Sequence, residues 1–273
     1  MKKLTGLFVS AVLALSVGGV LLSNAVAADK TITIGCNSEN PPWVYMDNGK
    51  MTGFEVDIAN EFAKRAGYTI EFKTAPFSSV LTGVQSGQWD IGMSSIWIKE
   101  ERAKMMDFAD PYYDSGIGLV TRTGGGVTKF EDMKGKVFGS DTGSLNEAWL
   151  IEANAKYGPY EIKSYDYWAD AILDLEAGRI DGVVVDGPIA LYYIVQHPQS
   201  ALEMNLHIPG FSAGQAFAFK KGSPLKDEFN KIQNEMKKDG TMLAIHKKWF
   251  GSDPLPGSST IEIVAPYFPN QKP

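Results

Sequence analysis

The chain has 273 residues, a net charge of −6 at pH 7, three histidines and one cysteine. An acidic balance without a basic cluster argues against a nucleic-acid partner. Cys36 cannot form an internal disulfide. Because His197, His207 and His246 lack the spacing of metal ligands, we expect neither a metal nor a cofactor.

The first 28 residues have the pattern of a secretory signal peptide. Lys2 and Lys3 precede a mostly apolar stretch, and two overlapping small-residue cleavage sites end at Ala27 and Ala28. A transmembrane anchor is the alternative, but threonine, serine and glycine residues dilute the apolar stretch. We therefore predict secretion with cleavage near Ala28.

Beyond residue 28, patterns typical of strands and helices alternate. A strand pattern at 31–34 precedes a helix in which apolar residues recur at four-residue spacing from Phe54 to Ala66, before Gly67. The apolar run at 91–93 predicts a buried strand. Such alternation predicts parallel sheets with helices on both faces.

Two parts of the chain repeat one short signature. Gly87 and Asp90 are three residues apart and lead into a strand that ends near Ser95; the same spacing at 178–181 leads into a strand that ends at Asp186. The glycine ends a helix, and the last polar residue lies at the carboxyl end of a buried strand. This repetition predicts two similar lobes.

Two segments have the position of crossings between the lobes, namely residues 108–113 and residues 210–214. Each precedes a predicted strand, and together they would form a hinge. We expect lobe 1 to comprise residues 29–116 plus 215–273, and lobe 2 to comprise residues 117–214. The exported chain is long enough for two lobes of this size.

Polar residues follow the predicted strand at 91–93. Ser94 and Ser95 come directly after it, and Arg102 lies seven residues beyond Ser95. Ligands of open α/β sheets collect at the carboxyl ends of strands. An arginine supplies a planar fork of donors suited to a carboxylate. From local sequence alone, a surface arginine paired with a neighbouring glutamate is the alternative.

The serine pair and the arginine resemble a pattern of the periplasmic solute-binding proteins of family 3, which deliver polar amino acids to ABC transporters. Residues 53–57 are similar to the Gly-Phe-x-x-Asp segment of that family. The resemblance implies an α/β, two-lobed periplasmic-binding-protein fold of type II, in which each lobe is a mostly parallel sheet flanked by helices and a two-segment hinge joins them. In that family the arginine that matches Arg102 clamps the α-carboxylate of the ligand.

The turn from Asp141 to Glu147 is a second candidate. Ser144 and Glu147 fit a capping box, and free N–H groups at a helix start attract an anion. Capping alone would also explain these residues. The resemblance implies that the backbone of Gly143, Ser144 and Leu145 meets the ligand carboxylate, although many relatives have Thr or Ser at Leu145. Asp141 favours a cationic or donor-rich ligand.

Five further residues complete the predicted site. Asp186 could cap the next helix, but the resemblance implies that it binds the α-ammonium of the ligand. Phe77 matches an aromatic residue that packs on the ligand, whereas Asn37 and Asn40 stand where relatives often have an acidic and an aromatic residue. Trp97 stands where relatives usually have Ser or Thr, whose side chain contacts the ammonium. It could stack on a ligand, cap a smaller pocket or receive a cation over its face.

Together with the resemblance, which implies a periplasmic location and a permease partner, these features predict a monomeric, non-enzymatic receptor. It would bind a small zwitterion and deliver it to an inner-membrane ABC permease. The ligand class that fits the residues best is a polar or basic L-amino acid or a derivative. One alternative is a dehydratase-like enzyme for a small carboxylic acid, with Asp141, Glu147 or Asp186 as the general acid. Another is a ligand-sensing partner of a membrane receptor.

Overall fold

The computed structural model describes residues 30–269, and the predicted signal peptide, residues 1–28, lies outside them. In this part of the chain the strands are β1 (Lys30–Cys36), β2 (Glu39–Asn40), β3 (Val44–Asp47), β4 (Lys50–Thr52), β5 (Tyr68–Thr74), β6 (Ile91–Met93), β7 (Met106–Phe108), β8 (Tyr113–Arg122), β9 (Val137–Asp141), β10 (Glu161–Tyr165), β11 (Gly182–Asp186), β12 (Leu202–Gln215) and β13 (Ala218–Lys220). The α-helices are α1 (Phe54–Ala66), α2 (Phe77–Ser86), α3 (Glu100–Met105), α4 (Leu145–Tyr157), α5 (Trp168–Glu176), α6 (Gly187–Gln196), α7 (Leu225–Lys238) and α8 (Thr241–Phe250). None of the helices between residues 30 and 269 has the length and apolar character needed to cross a membrane.

The strands form two five-stranded sheets of the same design. The first has the order β5-β1-β6-β13-β7 and the second the order β10-β9-β11-β8-β12. In each sheet the first three strands are parallel, the fourth is antiparallel to them, and the fifth is antiparallel to the fourth. A small sheet of β2, β3 and β4 follows β1. The prediction of two mostly parallel sheets with helices is therefore confirmed.

The chain passes between the two sheets twice. It leaves the first sheet after β7 and enters the second with β8, and it returns from β12 to β13. β8 and β12 pair at this passage, with Tyr113 opposite Gln215, so the two connections lie side by side. The lobe limits at 116/117 and 214/215 fall within or at the end of these two strands and stay a prediction.

The repeated Gly-x-x-Asp signature has the same physical role in both sheets. Its two glycines have φ of +80° and +73°, a left-handed conformation that lets the chain turn after the preceding helix. The Asp90 carboxylate accepts a hydrogen bond from the Thr33 N–H of β1 at 2.8 Å. The Asp181 carboxylate accepts one from the Val137 N–H of β9 at 2.9 Å. Each aspartate thus attaches the start of its own strand to the neighbouring parallel strand.

Helix α1 has the predicted pattern and ends as predicted. Its buried face includes Phe54, Ile58 and Phe62, and Gly67 follows it with φ of +74°. The Phe62 ring packs against Phe229 of α7, with ring centroids 4.7 Å apart. Helices from both ends of the chain therefore cover the first sheet.

A buried carboxylate joins α1 to the serine segment after β6. Glu55 is fully buried, and both of its oxygens accept from the Ser95 N–H at 3.1 Å. Its Oε1 also accepts from the Tyr112 hydroxyl at 2.6 Å. Ser95 has φ of +48°, which is uncommon for a residue other than glycine. Burial raises the pKa of Glu55 to about 7, although both contacts act to lower it.

The segment after α8 packs on the passage between the sheets. The Asp114 carboxylate of β8 accepts hydrogen bonds from the Ser259 N–H at 2.8 Å and from the hydroxyls of Ser259 and Tyr267. The Lys237 ammonium of α7 donates to the Glu262 C=O at 3.0 Å. These contacts attach the C-terminal segment to both β8 and α7.

We predict that the Glu55→Gln substitution changes the pH dependence of stability. The folded protein keeps on Glu55 a proton that the unfolded chain loses near pH 4.5. Because the folded state then binds more protons, the contribution of Glu55 to stability falls as the pH rises from about 4.5 to about 7. Relative to wild type, the variant should gain about 1–3 kcal/mol of unfolding free energy between about pH 5 and about pH 8 in urea denaturation.

The Glu61→Gln variant is the matched control for this experiment. Glu61 lies in the same helix, and its hydrogen bonds with Arg65 and Lys64 lower its pKa, so it stays ionised throughout the tested range. Its pH profile should follow that of wild type. Parallel profiles for wild type and the Glu55 variant would contradict the assignment.

Candidate ligand-binding site

A small cavity lies where the carboxyl ends of strands from the two sheets meet. β1 and β6 of the first sheet end beside it, and so do β9 and β11 of the second. Every predicted site residue except Gly143 lines this cavity, namely Asn37, Asn40, Phe77, Ser94, Ser95, Trp97, Arg102, Asp141, Ser144, Leu145 and Asp186. The fold therefore brings together residues that are up to about 150 positions apart in the chain.

The sequence reasoning missed four residues of the cavity wall, Asn146, Trp168, Val185 and Ile189. Asn146 and Val185 are each adjacent in sequence to a predicted site residue, and this adjacency is the signal that could have found them. Trp168 begins α5, and Ile189 lies in the first turn of α6. Their apolar side chains have the pattern of an ordinary buried helix face.

The guanidinium of Arg102 is buried between the two sheets, with the residue 3% exposed. Nη1 donates to the Trp97 C=O and Nη2 to the Gly143 C=O, both at 2.9 Å. Nε has no hydrogen-bond partner among the described residues. Burial lowers the pKa of Arg102 to about 10, which leaves the group charged at neutral pH. A buried cation with an unused donor suits an anionic ligand group.

The carboxylate of Asp186 accepts hydrogen bonds from three neutral side chains. Oδ2 accepts from Trp97 Nε1 and Gln215 Nε2, each at 2.7 Å, and Oδ1 accepts from Asn146 Nδ2 at 3.1 Å. The carboxylate does not cap α6, which was the alternative that local sequence allowed. Burial raises the pKa of Asp186 to about 7. A cationic group placed against it would favour its charged form.

The N–H groups of the turn before α4 donate hydrogen bonds to acceptors within the protein. Ser144 Oγ accepts from the Glu147 N–H at 3.0 Å, so Ser144 caps the helix as predicted. The Glu147 carboxylate accepts from the Gly143 N–H at 2.7 Å, and the Ser144 N–H donates to the Asp141 C=O at 3.2 Å. In this structure Glu147 supplies the negative charge that a helix start favours, and the contact of the Gly143, Ser144 and Leu145 backbone with a ligand carboxylate stays a prediction.

The two asparagines at positions 37 and 40 of the wall are hydrogen-bonded within the protein. Asn40 Nδ2 donates to Ser95 Oγ at 3.0 Å, and Asn37 Oδ1 accepts from the Glu39 N–H at 2.9 Å. Across the cavity, burial raises the pKa of Asp141 to about 6. The wall thus holds two carboxylates and one guanidinium, and a ligand with an excess of positive charge would balance them.

The cavity is small. About 20 Å³ is open to the centre of a water molecule, which is room for one or two waters. An amino acid does not fit this volume, so its entry requires the two edges to move apart. Such a movement would break the contact of Arg102 with Gly143 and the contact of Trp97 with Asp186.

The cysteine and histidine side chains of the described residues do not form a metal-binding cluster. Between residues 30 and 269, no three His, Cys, Asp or Glu side chains lie close enough to hold a metal ion. Cys36 is buried, and burial raises the pKa of its thiol to about 12, so the thiol stays protonated at neutral pH.

Two sequence relatives match almost the whole chain. The arginine-binding extracellular protein ArtP of Bacillus subtilis (strain 168) is 31% identical over 252 residues, which cover 92% of this chain and 98% of ArtP. The L-cystine-binding protein TcyJ of Escherichia coli (strain K12) is 32% identical over 243 residues, which cover 85% of this chain and 87% of TcyJ. Both relatives are named as binding proteins.

A solved structure and a family model also match this chain. An ancestral arginine-binding protein bound to arginine superposes with a TM-score of 0.77 at 36% identity, over 81% of this chain and 98% of that structure. Residues 32–252 match the model of the bacterial extracellular solute-binding proteins, family 3. The chain therefore belongs to family 3 of the bacterial extracellular solute-binding proteins and has their two-lobed α/β fold.

Proposed function

We propose that the protein is a periplasmic receptor that binds a small zwitterion between its lobes and delivers it to an inner-membrane ABC permease. The observation that carries this proposal is the placement of Arg102 and Asp186. The two residues line one cavity and have side chains of opposite charge type; Arg102 lies in helix α3, which follows β6 of the first sheet, whereas Asp186 ends β11 of the second. A ligand with a carboxylate and an ammonium would pair with both, whereas a ligand with one charge would leave a buried group unmatched.

The charges of the cavity favour a polar or basic L-amino acid or a derivative. Arg102 would receive the α-carboxylate and Asp186 the α-nitrogen, which leaves Asp141 for a donor or cation on the ligand side chain. The names of ArtP and TcyJ, which bind arginine and cystine, support this class of ligand.

Closure of the lobes would couple binding to delivery. The proposed lobes, residues 29–116 plus 215–273 and residues 117–214, would open at the two adjacent connections and close when a ligand contacts both. Because the ligand binds the closed form more tightly, it shifts the population toward that form. The permease would then recognise the closed monomer after cleavage of the signal peptide near Ala28.

We predict that Arg102→Ala removes amino-acid binding. A thermal-shift screen of the purified protein against the amino acids and their derivatives should find a polar class that stabilises wild type. At about 100 times its dissociation constant, a ligand stabilises a protein by about 2.7 kcal/mol. Loss of the buried cation should weaken binding by at least about 30-fold, since such a charge pair contributes about 2 kcal/mol or more.

Arg179→Ala is the matched control, because the Arg179 side chain is 59% exposed and lies outside the cavity. Circular dichroism would establish that both variants fold. Affinity for the same ligand within a few-fold of wild type in the Arg102 variant would exclude the carboxylate clamp. Turnover of a small carboxylic acid instead of binding would favour the dehydratase alternative.

We predict that Asp186→Asn weakens binding of the ligand found in that screen by about 1.5–3 kcal/mol, the contribution of a hydrogen bond to a charged group. The substitution keeps the size of the side chain and removes its charge. Isothermal titration calorimetry measures the effect, which corresponds to about tenfold to about 150-fold in affinity.

Asp166→Asn serves as the control for this substitution, because Asp166 is exposed and is not part of the cavity wall. Its affinity should equal that of wild type. An unchanged affinity in the Asp186 variant would mean that its carboxylate only organises Trp97, Asn146 and Gln215 and does not meet the ligand.

A further inference from the structure

The contact between Trp97 and Asp186 joins the two proposed lobes. Trp97 follows β6 in the first lobe, and Asp186 ends β11 in the second. The indole Nε1 donates to Asp186 Oδ2 at 2.7 Å, and each of the two residues is 3% exposed. The carboxylate has two other donors, Asn146 from α4 of the second lobe and Gln215 from the passage between the sheets. Of these three donors, Trp97 is therefore the one that reaches across from the first lobe.

The ring of Trp97 also packs on the second lobe. It belongs to a buried apolar cluster whose other buried residues fall between positions 117 and 213, among them Ile117, Leu145 and Ala213. The main chain of Trp97 stays with the first lobe, where its C=O accepts from Arg102 Nη1 at 2.9 Å. Separation of the lobes would thus expose an apolar ring to water and break a buried hydrogen bond, and both effects favour the closed arrangement.

Arg102 makes a second contact between the lobes. Its Nη2 donates to the Gly143 C=O at 2.9 Å. The two groups proposed to bind the carboxylate and the α-nitrogen of a ligand, Arg102 and Asp186, are therefore each bonded to the opposite lobe. Because an amino acid does not fit a cavity of about 20 Å³, both bonds must break before it enters. The self-closed protein and the ligand compete for the same two groups.

We propose that Trp97 is an autoinhibitory latch, whose indole holds the lobes closed on Asp186 until a ligand takes its place there. The inference rests on the proposed function, because it assumes that the lobes separate and that Asp186 receives the ligand. Only the open fraction of the protein is competent to bind, so the latch lowers the apparent affinity by that fraction. A ligand must gain more from Arg102 and Asp186 than the contacts of the self-closed form provide.

Small-angle X-ray scattering tests whether the latch holds the lobes together. Bound molecules are first removed from the exported protein by unfolding in guanidinium chloride and refolding. Trp97→Phe keeps an aromatic ring for the apolar cluster and removes the N–H that reaches Asp186. Wild type should have a smaller radius of gyration than this variant, because its lobes stay closed. Equal radii would overturn the inference.

Trp149→Phe is the matched control for the scattering experiment. Trp149 lies in α4 and packs on the same apolar cluster, but it is not part of the cavity wall. The substitution removes an indole N–H as Trp97→Phe does, without touching a contact to Asp186. The control variant should therefore have the radius of gyration of wild type.

Calorimetric titration of the same proteins tests whether the latch competes with a ligand. The probes are the standard L-amino acids and L-cystine. Trp97→Phe should bind the best of these probes at least about threefold more tightly than wild type, and by at most about tenfold if about nine-tenths of wild type is self-closed. If the indole stays on Asp186 in the liganded form, the variant binds no more tightly than wild type, and this result would contradict the inference.

A contact outside the cavity separates competition from a general loosening of closure. Tyr45 of β3 and Tyr192 of α6 face each other from opposite lobes with ring centroids 6.4 Å apart, and neither lines the cavity. Tyr192→Ala should enlarge the radius of gyration but should not raise the affinity, because a ligand need not displace this contact. An equal gain in affinity in Tyr192→Ala and Trp97→Phe would show that the indole does not compete for Asp186.

Failure of the latch and failure of the proposed function give different results. If Trp97→Phe neither opens the protein nor raises the affinity, while Arg102→Ala loses binding, the latch is wrong and the proposed function stands. If none of the probes binds to wild type or to the Trp97 variant, the proposed function is wrong, and so is the latch that rests on it.

Discussion

Arg102 and Asp186 are ionisable groups that the fold removes from water, one from helix α3 beside the first sheet and the other at the end of β11 in the second sheet. The guanidinium is held by two backbone carbonyls, and the carboxylate is held by an indole and two amides. Neutral partners compensate only part of the desolvation of a charge, which is why burial lowers the pKa of Arg102 and raises that of Asp186. Opposite charges on a ligand would compensate the rest of this desolvation.

Hydrogen bonds between acidic side chains and backbone N–H groups fix the strands and turns around this pair. The Asp90 and Asp181 carboxylates attach corresponding strands in the two sheets. Glu55 fixes the left-handed Ser95, and Glu147 fixes Gly143. These acidic side chains accept hydrogen bonds from backbone N–H groups, so they organise the site without being presented to the cavity. In the proposed function, the passage between the sheets is the part of the chain at which these edges would separate.

The sequence predicted correctly those features that depend on residues close together in the chain. The helix at Phe54–Ala66, its end at Gly67 and the cap by Ser144 depend on residues within one or two turns of each other. Position at a strand end was equally informative, because the carboxyl ends of parallel strands share one edge of a sheet. The Glu147 carboxylate accepts from the Gly143 N–H and not from the Ser144 N–H that a capping box uses, since a carboxylate has more than one nearby N–H within reach.

By itself the sequence determined the α/β class, the repeated unit and the set of residues at the strand ends, since these follow from periodicity and from glycine and aspartate spacing. Only the tertiary structure decided which of them touch. The contact of Trp97 with Asp186 spans 89 positions, and that of Glu55 with Ser95 spans 40. These long-range contacts depend on how the two sheets pack and on the hydrogen bonds that buried polar groups require. A local sequence pattern carries no information about either.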